Sequence, residues 1–455
     1  MDRRHFLKQL AVALSAPAIA AAARENEAGF GPLRPDSDGR LDLPEGYRYT
    51  IVSSAGWPMS DGLRVPYAHD GMAAFPGEDG RIILVCNHEI GPGHFDRSAF
   101  AGAPASAMNA IQAKIYDPGN GKSPGAGGTT TTVFNPHSGR TERQHLSLAG
   151  TESNCAGGPT PWGSWLSSEE CFQKPGYSLS AGRRVRRDKS HGYVFEVSAY
   201  AEGPVDPVPI RAMGKFEHEA AAVHEPSGIV YMTEDKHRSL FYRYLPNVPG
   251  RLHEGGRLQA LAIADRPSFN THNWSRKTTM IPGTAFATQW IDLDDVDPRS
   301  DDLRRRGARK GAAKFARGEG LCSAAGDFVF TCTIGGAARL GQIFSYRPSP
   351  KEGTTEESDI PGQLTLIAEA SRDSILRNAD NLTFAPWGDL IVCEDTSDHC
   401  GLVGIRPDGS QYLFAHNPYT KSELAGVCFA PDGKTLFVNI QYPGMTLAIT
   451  GPFPT

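Results

Sequence analysis

One short pattern recurs along this chain: a polar or acidic start, an apolar run, a Pro- or Gly-containing turn, a second apolar run and a closing acidic or amide cluster. The clearest copies are DNLTFAPWGDLIVCEDT (Asp380 to Thr396) and LAGVCFAPDGKTLFVNIQYPG (Leu424 to Gly444). Earlier copies run from His69 to Glu89, Asn154 to Glu170 and His218 to Lys236, with a looser one from Gly318 to Gly336. Each reads as two strands joined by a tight turn, because P-D-G, P-W-G and P-S-G supply turn residues between runs rich in Val, Ile, Phe and Leu. A third apolar stretch follows several of them: Ser239 to Pro246, Gly341 to Pro348 and Gly401 to Gly409. Repeated small antiparallel sheets describe the blades of a β-propeller, so the pattern predicts an all-β, six-bladed propeller. Two β-sandwiches would use similar strands and turns. Three stretches fall outside the repeat and read as surface insertions: Ala99 to Thr132, the basic run Gly182 to Lys189, and Asp294 to Gly311.

Composition agrees with an all-β chain, since 50 glycines and 34 prolines among 455 residues imply many turns. At the N-terminus, Asp2-Arg3-Arg4-His5-Phe6-Leu7-Lys8 gives the R-R-x-F-L-K pattern of a twin-arginine export signal. A weakly apolar stretch from Leu10 to Ile19, too short to span a bilayer, and the small residues Ala20 to Ala23 follow it. The expected organisation is a signal over residues 1–23, one propeller domain over 24–455, and a protein exported folded by the twin-arginine translocon to the periplasm. Loss of the signal removes a net +2 and takes the formal charge from −5 to −7, which does not suggest a nucleic-acid partner. No later segment is apolar enough for stable membrane insertion, and a propeller that closes on itself is expected to be a monomer. The eight cysteines show no C-x-x-C pair, and folding before export would keep them reduced; mostly buried free thiols are expected.

In a propeller the innermost strands line the axis, so the polar ends of the hairpins converge. Those ends carry His69 and Asp70, Asn87 and Glu89, Glu152 with Asn154 and Cys155, Glu169 and Glu170, His218 and Glu219, Glu234 and Asp235, Glu319, Asp380 and Asn381, Glu394 and Asp395, and Asn439 and Gln441. Taken singly, each has a plain structural reading: a solvated turn, a satisfied histidine, a buried thiol. Their recurrence at equivalent points argues for a shared site. Carboxylates a few ångströms apart must be protonated or neutralised by cations. Asp, Glu and Asn oxygens suit calcium, whereas the thiol of Cys155 in the turn N-C-A-G-G suits a softer or redox-active metal.

Several segments together resemble the PhoX family of alkaline phosphatases, six-bladed propellers exported by the twin-arginine route. They are VCNHE (Val85 to Glu89), GTESNCAGGPTPWGSWLSSEE (Gly150 to Glu170), KFEHEAA (Lys215 to Ala221), FARGEG (Phe315 to Gly320), DNLTFAPWGDLIVCEDT and GKTLFVNIQYPG (Gly433 to Gly444). The resemblance implies hydrolysis of small phosphate monoesters at a site of ferric iron and calcium ions bridged by an oxo group. It implies Cys155 as an iron thiolate, Glu219 and Glu319 as iron carboxylates, Arg317 as the phosphate-binding residue, and Glu89, Glu152, Asp380 and Glu394 on the calcium side. Ser168 departs from the family pattern, which often has a cysteine there. The competing readings are a calcium-dependent lactonase or phosphotriesterase on a six-bladed propeller, which would not use Cys155, and a non-catalytic propeller that binds a partner with calcium as cement.

Overall fold

The computed structural model describes residues 29–275, 280–324, 326–397 and 400–454; the twin-arginine segment lies outside them. Every copy of the repeat forms the innermost hairpin of a blade. The hairpins are His69–Pro76 with Ile82–His88, Asn154–Pro159 with Ser164–Glu169, His218–His224 with Ile229–Glu234, Gly318–Ala324 with Asp327–Cys332, Ala379–Phe384 with Leu390–Glu394, and Leu424–Phe429 with Leu436–Ile440. Each first strand packs beside the first strand of the next blade, and the last packs beside the first, which closes a ring. Tyr242–Pro246, Gln342–Arg347 and Gly401–Ile405 are the expected third strands.

The chain closes the ring with its own beginning. Strand Arg48–Ser54 pairs antiparallel with Met445–Thr450 and completes the sixth blade as its outermost strand. The third and fourth blades are fused into one nine-stranded sheet, because Ala285–Asp292 pairs with Gly256–Ile263 on one side and Gln363–Glu369 on the other. The second blade has three strands.

Because strand side chains alternate, each blade has two apolar faces, and six hydrophobic clusters fill the six gaps between neighbouring blades. The densest is aromatic: Phe241 stacks on Phe330 at 4.4 Å, and Phe330 stacks on Phe344 at 5.3 Å.

The stretches expected to be mere insertions are partly regular structure. The run Thr129–Thr132 belongs to the third strand of the first blade, Gly127–Asn135, and is buried there. Four β-branched residues suit a pleated, enclosed surface; Ser147 Oγ lies 2.7 Å from Thr129 Oγ1, and the Thr130 hydroxyl meets His88 Nε2 at 2.9 Å. The basic run supplies strand Arg183–Arg187 of a hairpin with Gly176–Ser180, and the charged segment contains the helix Leu303–Lys310. No helix among the described residues is long and apolar enough to cross a membrane.

Candidate metal centre

All six inner strands carry a β-bulge at the same place. Register slips by one residue between His69 and Met72, Asn154 and Gly157, His218 and Ala221, Gly318 and Leu321, Ala379 and Leu382, and Ala425 and Cys428. A bulge re-aims the extra residue and leaves its backbone groups outside the ladder. The re-aimed residues are Asp70, Cys155, Glu219, Glu319 and Asp380; in the sixth blade, where the ladder runs one pair further, the residue after the last pair is Gly426.

A small residue follows four of them (Gly71, Ala156, Ala220 and Gly320), because neighbouring strands press together there. A Cβ on Gly71 would lie 2.5 Å from Cα of Ala156, and one on Gly320 would lie 2.6 Å from the Asp380 carbonyl oxygen. The carbonyls released by the bulges are caught by the preceding blade. Asn439 Nδ2 donates to Asp70 O (2.5 Å), Asn87 Nδ2 to Cys155 O (2.9 Å), Thr233 Oγ1 to Glu319 O (2.5 Å) and Thr331 Oγ1 to Asp380 O (2.8 Å). The ligand-bearing backbone is thus fixed by cross-blade hydrogen bonds, as buried carbonyls require.

Three overlapping groups result: Asp70, Glu89 and Cys155; Cys155, Glu170 and Glu219; Glu219, Glu319 and Asp380. Within each, one ligand atom per residue lies within 4.8 Å of the others. The sulfur of Cys155 is 3.5 Å from Glu219 Oε1. Gln441, from the blade lacking a bulge ligand, bridges two carboxylates through Nε2, at 2.9 Å from Asp70 Oδ2 and 2.8 Å from Glu89 Oε2.

The charge in this basket is unbalanced. Burial pushes the Asp70 carboxyl up to about 6. Burial and then the negative charge of Asp70 push Glu89 and Asp380 up to about 8. Glu170, Glu219, Glu319 and Glu423 are driven well above the carboxylate range by burial and then by the neighbouring carboxylates of the basket, and the Cys155 thiol is raised by burial and then Asp70. Glu219 Oε2 and Glu319 Oε1 are buried without a hydrogen bond. Nη2 of Arg317 reaches 2.9 Å from Glu319 Oε1, an ion-pair contact rather than a directed hydrogen bond. Orphaned, mutually repelling oxygens beside a thiol are a donor set that fits bound cations.

Arg317 enters with a left-handed backbone, φ 56°. Its Nε and Nη2 donate to Asp235 Oδ1 (2.7 Å) and Oδ2 (2.8 Å), a bidentate grip. Among the described residues Nη1 makes no hydrogen bond. A cavity of about 550 Å³ opens beside the guanidinium, lined by Thr333, Arg377, Asn378, Asp395 and His416 among others.

The structure thus brings together Cys155, Glu219, Glu319, Glu89, Asp380 and Arg317. It does not bring Glu152 or Glu394 into these groups. Glu152 is buried against Arg187, whose Nε donates to Oε2 at 2.7 Å, and Glu394 Oε1 accepts the Arg377 backbone N–H at 2.9 Å. Both are already satisfied as parts of the scaffold. His69 and His218 turn into the blades: His69 Nδ1 lies 2.9 Å from Thr446 Oγ1, and His218 stacks on Phe216 at 3.6 Å. The site set drawn from the sequence missed Asp70, Glu170, Asp235, Asp395 and Glu423. The first four sat in polar pairs along the chain; Glu423, one residue ahead of its inner strand, gave no signal. All eight cysteines are free thiols, as expected.

Comparison with known proteins places this geometry. A family model described as alkaline phosphatase PhoX matches residues 28–444. Among solved structures, PhoX of Pseudomonas fluorescens in complex with vanadate, a transition-state analogue, superposes with a TM-score of 0.65 at 19% identity, covering 91% of this chain and 96% of that one. A gluconolactonase from Xanthomonas campestris superposes at 0.40 with 12% identity, covering 93% and 98%. None of the curated proteins matches the sequence. The chain belongs to the PhoX family of alkaline phosphatases, metal-dependent hydrolases of phosphate monoesters.

Proposed function

We propose that the basket holds both iron and calcium, with Cys155, Glu170 and Glu219 on the iron side and Asp70, Glu89, Glu319, Asp380, Asp395 and Glu423 serving calcium; Glu319, which the family resemblance assigns to iron, is moved because it groups with Asp380 and not with Cys155. The thiol suits ferric iron, and the all-oxygen remainder suits calcium, which takes six to eight such ligands. Bound there, the metals would neutralise the phosphate's charge and supply an activated oxygen nucleophile. Arg317 then receives the phosphate: Asp235 holds Nε and Nη2, which presents Nη1 and the plane of the guanidinium toward the cavity. Phosphoryl transfer needs positioning and charge stabilisation more than covalent help, so no serine or threonine nucleophile is required. The chain acts as one propeller unit, residues 24–455, after removal of a twin-arginine signal over residues 1–23, in the periplasm and as a monomer. The carrying observation is the recurrence of Asp70, Cys155, Glu219, Glu319 and Asp380 at one bulge position, with Glu219 Oε2 and Glu319 Oε1 buried without a hydrogen bond.

Protein matured through its own export route should contain iron and calcium, absorb visible light through a ferric thiolate, and hydrolyse 4-nitrophenyl phosphate until chelated. Cys155→Ser should abolish the absorption band and iron. Arg317→Ala should lower kcat/KM by about 10²–10³ with metal content intact, the usual effect of deleting one donor to the transition state. Full activity and iron in Cys155→Ser would refute the iron–thiolate assignment.

A further inference from the structure

Outside the basket, the turns next to Arg317 carry a concentration of cations. His237 pairs with Ala316, the residue before Arg317, and the Arg317 backbone N–H donates to Lys236 O at 3.1 Å. Arg238 follows, exposed, in the short strand His237–Ser239. On the other side, Thr333 N–H donates to Arg317 O at 3.0 Å, and the chain runs on to Arg339, whose guanidinium lies 5.0 Å above the Trp274 ring. Trp274 is a pillar for this region: it stacks on His272 at 4.2 Å, meets His237 edge-on at 5.8 Å, and anchors its indole N–H on Ile334 O at 2.7 Å. Gly336 N–H donates to His272 O, and Thr271 N–H to Lys314 O, so both walls are tied to the same irregular segment.

Arg238 lies across the strand pair from Phe315 and Ala316, next to Lys314 along the chain, and Arg339 is held over the Trp274 ring that stacks on His272. Burial lowers the His272 imidazole to about 4, and the positive charges of Arg238, Lys314 and Arg339 add to the effect. None of the three has a carboxylate within ion-pair distance among the described residues. The carboxylate woven into the same turns, Glu369, is engaged by Asn273 Nδ2 (2.6 Å), Gln342 Nε2 (2.9 Å) and the Ala337 backbone N–H (3.0 Å). Arg238 and Arg339 both have φ 58° and Arg317 has φ 56°. Left-handed backbone is uncommon for a residue with a long side chain, and such outliers concentrate where a side chain must be aimed. Leu340, directly after Arg339, is part of the wall of the cavity beside Arg317.

We infer that Arg238, Arg339 and Lys314 form a second anion subsite at the rim of the Arg317 cavity, which takes a further phosphate group carried by the leaving group of the substrate. The preferred substrates are then bisphosphorylated or diphosphate-bearing monoesters rather than simple ones. One phosphate sits at Arg317 and the basket; the other meets guanidinium and ammonium groups that no protein anion neutralises, where charge-assisted hydrogen bonds are strongest. This rests on the phosphatase reading of the same site.

The test compares fructose 1,6-bisphosphate with fructose 6-phosphate on the metal-loaded full chain. In the double variant Arg238→Asn and Arg339→Asn, asparagine tolerates the left-handed backbone, so the chain keeps its path at both positions. The ratio of kcat/KM for bisphosphate over monophosphate should fall about tenfold, through KM, and the wild-type preference should weaken with added salt. Equal effects on both substrates would overturn the subsite. Binding of methylenebisphosphonate, which is not hydrolysed, is measured by calorimetry on the same proteins. If the wild type hydrolyses neither sugar phosphate, the phosphatase reading fails, yet a tenfold weaker bisphosphonate affinity in the double variant would still support the subsite. Unchanged affinity would remove it.

Discussion

At the scale of single residues, alternation along a strand decides which member of each polar pair serves the site. His88, Glu169, Glu234 and Glu394 point into the blades. There His88 meets Thr130, Glu169 meets His191, Glu234 meets Tyr242 and Glu394 meets a backbone N–H. Their successors Glu89, Glu170, Asp235 and Asp395 face the basket, where each adds to the charge that raises neighbouring carboxyls. Asp235 has a separate task, since it fixes the plane of Arg317 through two hydrogen bonds. Asp235→Asn keeps the shape but leaves one acceptor and no charge, so the guanidinium loses its bidentate anchor. We expect kcat/KM for 4-nitrophenyl phosphate to fall about 10–100-fold, the range of about 1–3 kcal/mol for a broken charged hydrogen bond. Iron and calcium analysis of the variant separates loss of aim from loss of metal; depleted metal would assign Asp235 to the ligands instead. The sequence made Cys155, Glu219, Glu319, Asp380, Glu89 and Arg317 legible because their motifs are distinctive. It could not choose between Glu169 and Glu170, or Glu394 and Asp395, since a slip of one residue in register exchanges inward and outward faces. The bulges that set that register leave no mark in composition.

At the scale of the blade, the turn chemistry told more than the spacing. P-D-G, P-W-G and P-S-G between β-branched runs located the inner hairpins, because a tight turn and a buried strand both have strong local preferences. The outer strands were harder to see. Gly127–Asn135 hides in a threonine run that reads as polar surface, and Ala285–Asp292, which fuses two blades, is largely exposed and lies in no recognisable repeat. What holds neighbouring blades is apolar contact. Phe330 is 1% exposed and sits between Phe241 and Phe344, with Phe315 at 5.4 Å. Phe330→Ala should cost about 3–5 kcal/mol, the usual loss for a buried aromatic whose cavity cannot collapse. Thermal or denaturant unfolding of the metal-loaded protein would measure it. A loss below about 1 kcal/mol would mean the stacked rings carry little of the interface.

The whole ring concentrates its burden at the centre. Six hydrophobic gaps stabilise the blades at the periphery, while the inner strands bring carboxylates together that would repel one another. Metal binding and ring stability are therefore coupled, as for any ligand that binds only the folded state. The sign of the pH dependence follows. In the metal-free fold Asp70 titrates at about 6 and Glu89 and Asp380 at about 8, above their values in an unfolded chain. Between those limits the folded state binds more protons than the unfolded one, so stability falls as pH rises. Chelated protein should accordingly lose melting temperature steadily from about pH 5 to about pH 8, since each carboxyl that ionises adds repulsion at the axis. Metal-loaded protein holds the same groups as ligands, and raising the pH removes competing protons from them, so its melting temperature should hold or rise over the same interval. The informative quantity is the difference between the two curves, because buried groups remote from the axis, such as Glu234, titrate in both. A difference that widens with pH ties the acidic basket to cation binding; parallel curves would mean that the axis carries its charge without metals, and that the repulsion is relieved by protons alone.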